Sequence, residues 1–283
     1  MASIVDIHPH VISTDTAKYP LNPLGGVQSD WSRERPVPYP NMIVAMDEAG
    51  VDKAALVHAS TAYGYDNTYV AEAVAAHPQR FSGVFSVDVL AADAVEKIKY
   101  WMQRGMAGLR LFTTGSTMRG QATWFYDPRT YPAWEYAGEV GLPVCMQMTQ
   151  QGFPQLRELM QRFPKVRIIL DHLARPQIVD GPPYAADHAF FAFAQNPNVY
   201  LKVTPINYMR DEWGKGSPET FFGKMVAEFG AKRIAWGSNF PATAGTLKDN
   251  LAQAKKALAS LSAADQEWIF GKTAQTLYPA LAD

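Results

Sequence analysis

The residues best suited to chemistry stand at the start of the chain, in Val5-Asp6-Ile7-His8-Pro9-His10. Two histidines one residue apart at the end of an apolar run leave an extended strand on the same face. At the mouth of a barrel they would reach one substrate or one metal ion. Two further polar clusters close apolar runs of their own: His172 with Arg175 after Leu170-Asp171, and Ser238-Asn239 after Ile234-Ala235-Trp236. Imidazoles can move protons or bind metal, guanidinium groups hold anions in forked contacts, and an amide orients water without taking its proton.

Those groups need a frame, and eight strand-like runs supply one. They are Ile4–His8, Ala54–His58, Phe81–Val87, Gly108–Phe112, Pro143–Met148, Arg167–Asp171, Tyr200–Val203 and Ile234–Trp236. Several are almost wholly apolar, as strands covered on both faces are. Segments with helical spacing lie between them: Thr68–His77, Ala92–Arg104, Gln155–Phe163 and Pro218–Phe229. Eight alternations in one α/β chain predict a parallel (β/α)8 TIM barrel, one domain over 1–283. Neither a G-x-G-x-x-G nor a phosphate-binding loop favours an open doubly wound sheet. Ala254–Leu281 is expected to pack as one or two helices on the outside. The Pro-rich stretch 13–41 follows the first strand, so it is expected over the C-terminal mouth as an uninterrupted loop, either a lid or pocket wall or a packed surface arm.

Composition narrows the partners. The 283 residues are 47% hydrophobic and 19% charged, with a net charge of −1. That gives no reason to expect nucleic acid or an anionic membrane surface. A lone cysteine, Cys145, excludes an internal disulfide and fits a cytoplasmic protein. It lies in an apolar run, as a buried thiol does. No leader segment and no membrane-spanning run is evident. A monomer or small homo-oligomer is expected.

If the strands close, their C-terminal ends deliver a consistent set. The first gives His8 and His10, and the second gives His58, Ser60 and Thr61, then Tyr65 and Asn67. The fourth gives Arg110, the fifth Gln147, the sixth His172 and Arg175, the seventh Lys202 and Thr204, and the eighth Asn239. Arg110 inside Leu109-Arg110-Leu111-Phe112 needs a partner: Asp88 or Asp171 in an ion pair, or a substrate anion at the mouth. His58 either lines the pocket or is a satisfied core residue; His77 and His188 have no expected role. Tyr63, Tyr65, Trp124, Tyr126 and Tyr208 either wall the pocket or pack loops.

Taken in order, seven pieces resemble the lactonase-like branch of the amidohydrolase superfamily, the group of the pyrone-dicarboxylate lactonases and sulfomuconolactone hydrolases. They are Asp6–His10, Met46–Asp52, Gly64–Asn67, Gly108–Arg110, Leu170–Pro176, Leu201–Thr204 and Trp236–Pro241. The resemblance implies a deformed barrel that hydrolyses a small anionic lactone or ester, with a role in degrading aromatic compounds. It implies that His8, His10 and His172 polarise the substrate carbonyl. Arg110 and Arg175 would hold substrate carboxylates, with Thr61, Tyr65, Asn67, Gln147 and Lys202 as further contacts. The position that holds the general-base Asp in that group is Asn239 here, and losing a base costs roughly 10²–10⁴ in rate. Three readings stand open: an inactivated variant, a base shifted to His172 or His10, and a non-hydrolytic role. Gln147 and Asn239 replace ligands of the mononuclear zinc pattern, so no tightly bound metal is expected. A divalent zinc or manganese ion would have His8, His10 and His172. The alternatives are a decarboxylase of the same superfamily and a catalytically silent barrel that binds an anionic metabolite.

Overall fold

The structure, a computed structural model, describes residues 3–115 and 120–282. Short apolar runs form β1 (Val5–Asp6), β2 (Lys53–Val57), β3 (Phe81–Phe85) and β4 (Met106–Phe112), then β5 (Val144–Gln147), β6 (Ile168–Leu170), β7 (Val199–Val203) and β8 (Ile234–Trp236). All pair in parallel in the order β1 to β8. The Ile7 amide donates to the Trp236 carbonyl at 3.2 Å, linking β1 to β8 and closing the ring. This is the expected (β/α)8 barrel. Five of the strands (β1, β2, β3, β5 and β6) end a residue or two earlier than their expected runs, and β4, β7 and β8 end where expected.

Helices Thr68–Ala76, Ala94–Met102, Phe153–Arg162 and Pro218–Phe229 stand where the periodicity places them. Buried Leu156, Leu159 and Met160, at spacings of three and four, show the face that packs on the barrel.

The end of the chain differs from expectation. Helix Leu247–Ala257 lies outside, but the turns from Trp268 to Leu281 do not. Ala274, Leu277, Tyr278 and Leu281, spaced i, i+3, i+4 and i+7, pack against Val5, Ala55, Val84, Cys145, Ile169 and Ala235. They plug the barrel end opposite the mouth. Burying four apolar side chains in an otherwise open end favours this over outer packing by roughly 1–3 kcal/mol each.

Stretch 13–41 is not continuous loop. It contains helix Asp30–Glu34 and enters helix Tyr39–Ala49. It is pinned on two sides: Asn22 and Leu24 donate to the carbonyls of Ala62 and Ser60, and Arg35 donates to those of Pro241 and Ala242.

Candidate active site

The ends of β1 and β8 meet first. Asp6 is fully buried, and its Oδ1 accepts from the amides of His8 (2.9 Å) and Ser238 (2.8 Å). One carboxylate thereby fixes the approach of both segments to the mouth. Gly237 permits this contact, because a Cβ there would lie 2.5 Å from that of His8. Asp6 Oδ2 has no hydrogen-bond partner, and burial pushes the carboxyl up to about 6.

The imidazoles converge. His8 is fully buried, with its ring centre 5.0 Å from that of His10 and 4.8 Å from that of His172. His10 Nδ1 lies 2.8 Å from the Val57 carbonyl, which only accepts. That nitrogen therefore carries the proton, and in the neutral ring Nε2 is a lone pair. His172 Nδ1 lies 2.7 Å from Thr204 Oγ1, whose hydroxyl has Asn207 Oδ1 at 3.3 Å as its own acceptor. This chain places the His172 proton on Nδ1 too. Both ring nitrogens of His8 lack a hydrogen-bond partner.

Burial holds all three rings neutral. His10 and His172 are pushed down to about 3, with Arg110 beside both and with Asp171 opposing the shift at His172; His8 falls well below its ordinary 6.5. Folding therefore binds fewer protons than the unfolded chain below pH 6.5, and these rings withdraw stability as the pH falls toward 3. Asp6, raised by burial, has the opposite sign: its penalty is absent below its ordinary 3.8 and is complete above about 6.

Beneath the rings lies a buried charge cluster. Asp171 Oδ2 accepts from Arg110 Nε at 2.8 Å, and Oδ1 lies 2.7 Å from Lys202 Nζ and 4.0 Å from His8 Nδ1. Burial alone would raise the Asp171 carboxyl, but Lys202 and Arg110 hold it well below the usual range. Arg110 also donates to Gln147 Oε1. Its partner is thus Asp171, not Asp88. Two cations thus share this one carboxylate.

His172 and Arg175 reach the mouth through an unusual backbone. His172, Leu173, Ala174 and Arg175 have φ of 55°, 55°, 52° and 57°, a left-handed turn without glycine. Such a turn costs about 1–2 kcal/mol per residue. It is held by Asn207, whose Nδ2 donates to the His172 carbonyl at 2.8 Å and whose Oδ1 accepts from the Thr204 amide at 2.9 Å. Asn239 also has positive φ, 53°, which Asn tolerates, and its Nδ2 donates to Thr243 Oγ1 at 3.0 Å.

These groups line one cavity of about 260 Å³, sized for a single small ring. Of the expected site residues, His10, Thr61, Arg110, Gln147, His172, Arg175 and Asn239 line it, and His8 lies directly behind His10 and His172. Three expected substrate contacts do not. Lys202 is fully buried in its ion pair. Asn67 is buried, bonded to Ser86 at both its amide and its carbonyl. Tyr65 is on the adjacent loop outside the lining. His58 is structural, its Nε2 at 2.8 Å from the Gly64 carbonyl. Sequence reasoning missed Trp31, whose ring stacks on His10 at 5.1 Å and walls the cavity; it also missed Asn207. A tryptophan among the prolines of 13–41 was the one available signal.

The donor set does not suit a divalent metal. Asp171, the carboxylate nearest the rings, is engaged by two cations, and position 239 offers an amide. Among the described residues no group of three or more His, Cys, Asp or Glu side chains is placed to hold an ion.

Comparison with known proteins agrees with this architecture. The amidohydrolase family model matches residues 5–280. L-Fucono-1,5-lactonase from Burkholderia ambifaria is 30% identical over 125 residues, 42% of this chain and 41% of that enzyme, so the chain matches less than half of the relative's length. A Pseudomonas putida structure named for a 2-pyrone-4,6-dicarboxylic acid hydrolase superposes with a TM-score of 0.79 over all of both chains at 21% identity. An amidohydrolase from Burkholderia multivorans with bound zinc gives 0.75 over 98% of this chain and 99% of its own, at 18%. At those identities the two structures speak for the fold alone.

Proposed function

Because the chain belongs to the amidohydrolase family, we propose that it hydrolyses a small lactone carrying an anionic group. The observation that carries this reading is the convergence of two neutral imidazoles, His10 and His172, on one small cavity, with His8 directly behind them and the buried Asp171–Arg110–Lys202 cluster adjoining. The lactonase name of a curated relative supports it.

The tautomers divide the labour differently from the resemblance. A neutral His10 with its proton on Nδ1 cannot donate to a carbonyl from Nε2; it can only accept. The donors are the remaining N–H groups of Arg110 and the Gln147 amide, whose oxygen is already occupied by Arg110. They polarise the carbonyl and meet the oxyanion. The Asn239 carbonyl oxygen, left free while its amide serves Thr243, orients the water. His10 Nε2 takes one water proton as the oxygen bonds to the carbonyl carbon. The tetrahedral oxyanion then collapses, the ring C–O bond breaks, and the leaving alkoxide takes that proton from the imidazolium. The product is one hydroxy acid.

The test is a panel of five- and six-membered lactones in a pH-stat, with carbon dioxide followed in parallel. Acid production without carbon dioxide is expected. Carbon dioxide release would instead establish the decarboxylase alternative. Ligand-dependent thermal stabilisation with no turnover, even in Asn239→Asp, would establish a binding barrel.

A further inference from the structure

The lactonase reading leaves open how many charged groups the substrate carries. Resting on that reading, we infer that the substrate carries a single carboxylate, and that Arg175 alone among the described residues anchors it.

Among the described residues two cationic side chains line the cavity, Arg110 and Arg175. Arg110 is 4% exposed and already engaged: its Nε donates to Asp171 and its Nη2 to Gln147. Lys202 has no path to the substrate, being fully buried on the other Asp171 oxygen. The remaining N–H groups of Arg110 meet the substrate carbonyl in the proposed reaction, so they are committed to the reacting centre and are not spare for a ground-state carboxylate.

Arg175 is placed otherwise. It is exposed at the rim, and among the described residues its guanidinium makes no hydrogen bond or ion pair. It stands three residues after His172 on the same left-handed turn, so one strained element aims both groups into the cavity. A fork there meets a carboxylate bidentately, across the ring from the carbonyl. The other polar lining groups are Ser60, Thr61, Gln147, Asn239 and Thr243 beside the neutral imidazoles, all uncharged. A second carboxylate would leave water to face hydroxyls and amides, which compensate it poorly. Hydroxyl substituents suit those same groups.

The experiment compares kcat/KM for uncharged, monocarboxylated and dicarboxylated lactones of one ring size, in wild type and in Arg175→Gln and Arg175→Lys. Wild type is expected to favour the monocarboxylate over both others by about 10- to 100-fold. In Arg175→Gln the preference over the uncharged lactone falls to near one through KM, and Arg175→Lys restores part of it. A dicarboxylate preferred by wild type, or a monocarboxylate preference that survives Arg175→Gln, overturns the inference. Calorimetric binding of tetrahydropyran-2-carboxylate, which cannot be hydrolysed, separates this from the lactonase reading. Binding lost in Arg175→Gln upholds the anion anchor even where no lactone turns over. Equal binding by both proteins overturns it.

Discussion

Replacing His10 by Asn tests where the base resides. The Asn amide keeps a donor near the position of Nδ1, facing the Val57 carbonyl at 2.8 Å, but it has nothing at the position of Nε2. The substitution thus removes the lone pair while preserving the anchor. Loss of a general base costs roughly 10²–10⁴ in rate, or about 2.7–5.4 kcal/mol at ~1.36 kcal/mol per decade. We expect kcat to fall by that amount with KM little changed. Asn239→Asp alone should change kcat/KM by less than about tenfold, because a second base adds little where one already operates. The fold accommodates it, since Asp shares Asn's tolerance of φ near 53°. In the double variant the new carboxylate should recover at least one decade, and the two effects should not add, because both residues line one cavity. Initial rates in a pH-stat on the best lactone measure all four proteins. A hundredfold gain from Asn239→Asp alone would refute the reasoning, because it would make position 239 the vacated seat of the base. So would a His10→Asn enzyme within threefold of wild type.

Stability should fall steeply with acid: His10 and His172 at about 3 and His58 at about 4 each withdraw up to ~1.4 kcal/mol per pH unit below their ordinary 6.5, while Asp6 opposes them between about 6 and 3.8. Urea midpoints should therefore drop between pH 6 and 4.5, and flat midpoints across that window would contradict the neutral buried rings. Thr204→Val removes the acceptor that fixes the His172 proton on Nδ1, so ring ¹⁵N shifts should move from one tautomer to a mixture, with Thr204→Ser restoring the single tautomer. Unchanged shifts in Thr204→Val would show that the hydroxyl does not set the tautomer.

The barrel was legible because its signals are local. Runs such as Ile168-Ile169-Leu170 and helices such as Pro218–Phe229 state their period within ten residues. Positions at strand ends followed from register, and so His8, His10, His172 and Asn239 meet at one mouth. What sequence could not convey is how a side chain is shared. Arg110 was legible as an arginine in need of a partner, but Asp171 lies 61 residues away, and Lys202 reaches the same carboxylate from another strand. Both looked like substrate contacts until one carboxylate was seen to hold them. The closing helical turns show the same limit. Their apolar stripe is plain, but whether it covers the barrel's side or its end depends on which surface is left open.

The left-handed turn from His172 to Arg175 is the sharpest conflict between local preference and global fold. Four non-glycine residues in that region oppose folding by about 4–8 kcal/mol, comparable with the whole stability of many domains. Only contacts from outside the turn can offset it, and here they come from Asn207 and Thr204, through the same two groups that orient the His172 ring. Backbone strain and ring tautomer are therefore one constraint. Relaxing the turn to ordinary φ would release strain but swing His172 away from His8 and Arg175 off the rim, dissolving the pairing of the His172 imidazole with the anion anchor. A fold that served stability alone would place glycine at 173 or 174. Leu173 and Ala174, both fully buried, instead lock the turn by packing. Such strain, over-determined by its surroundings, gathers where function requires a fixed geometry, and this turn bears two residues of the proposed site.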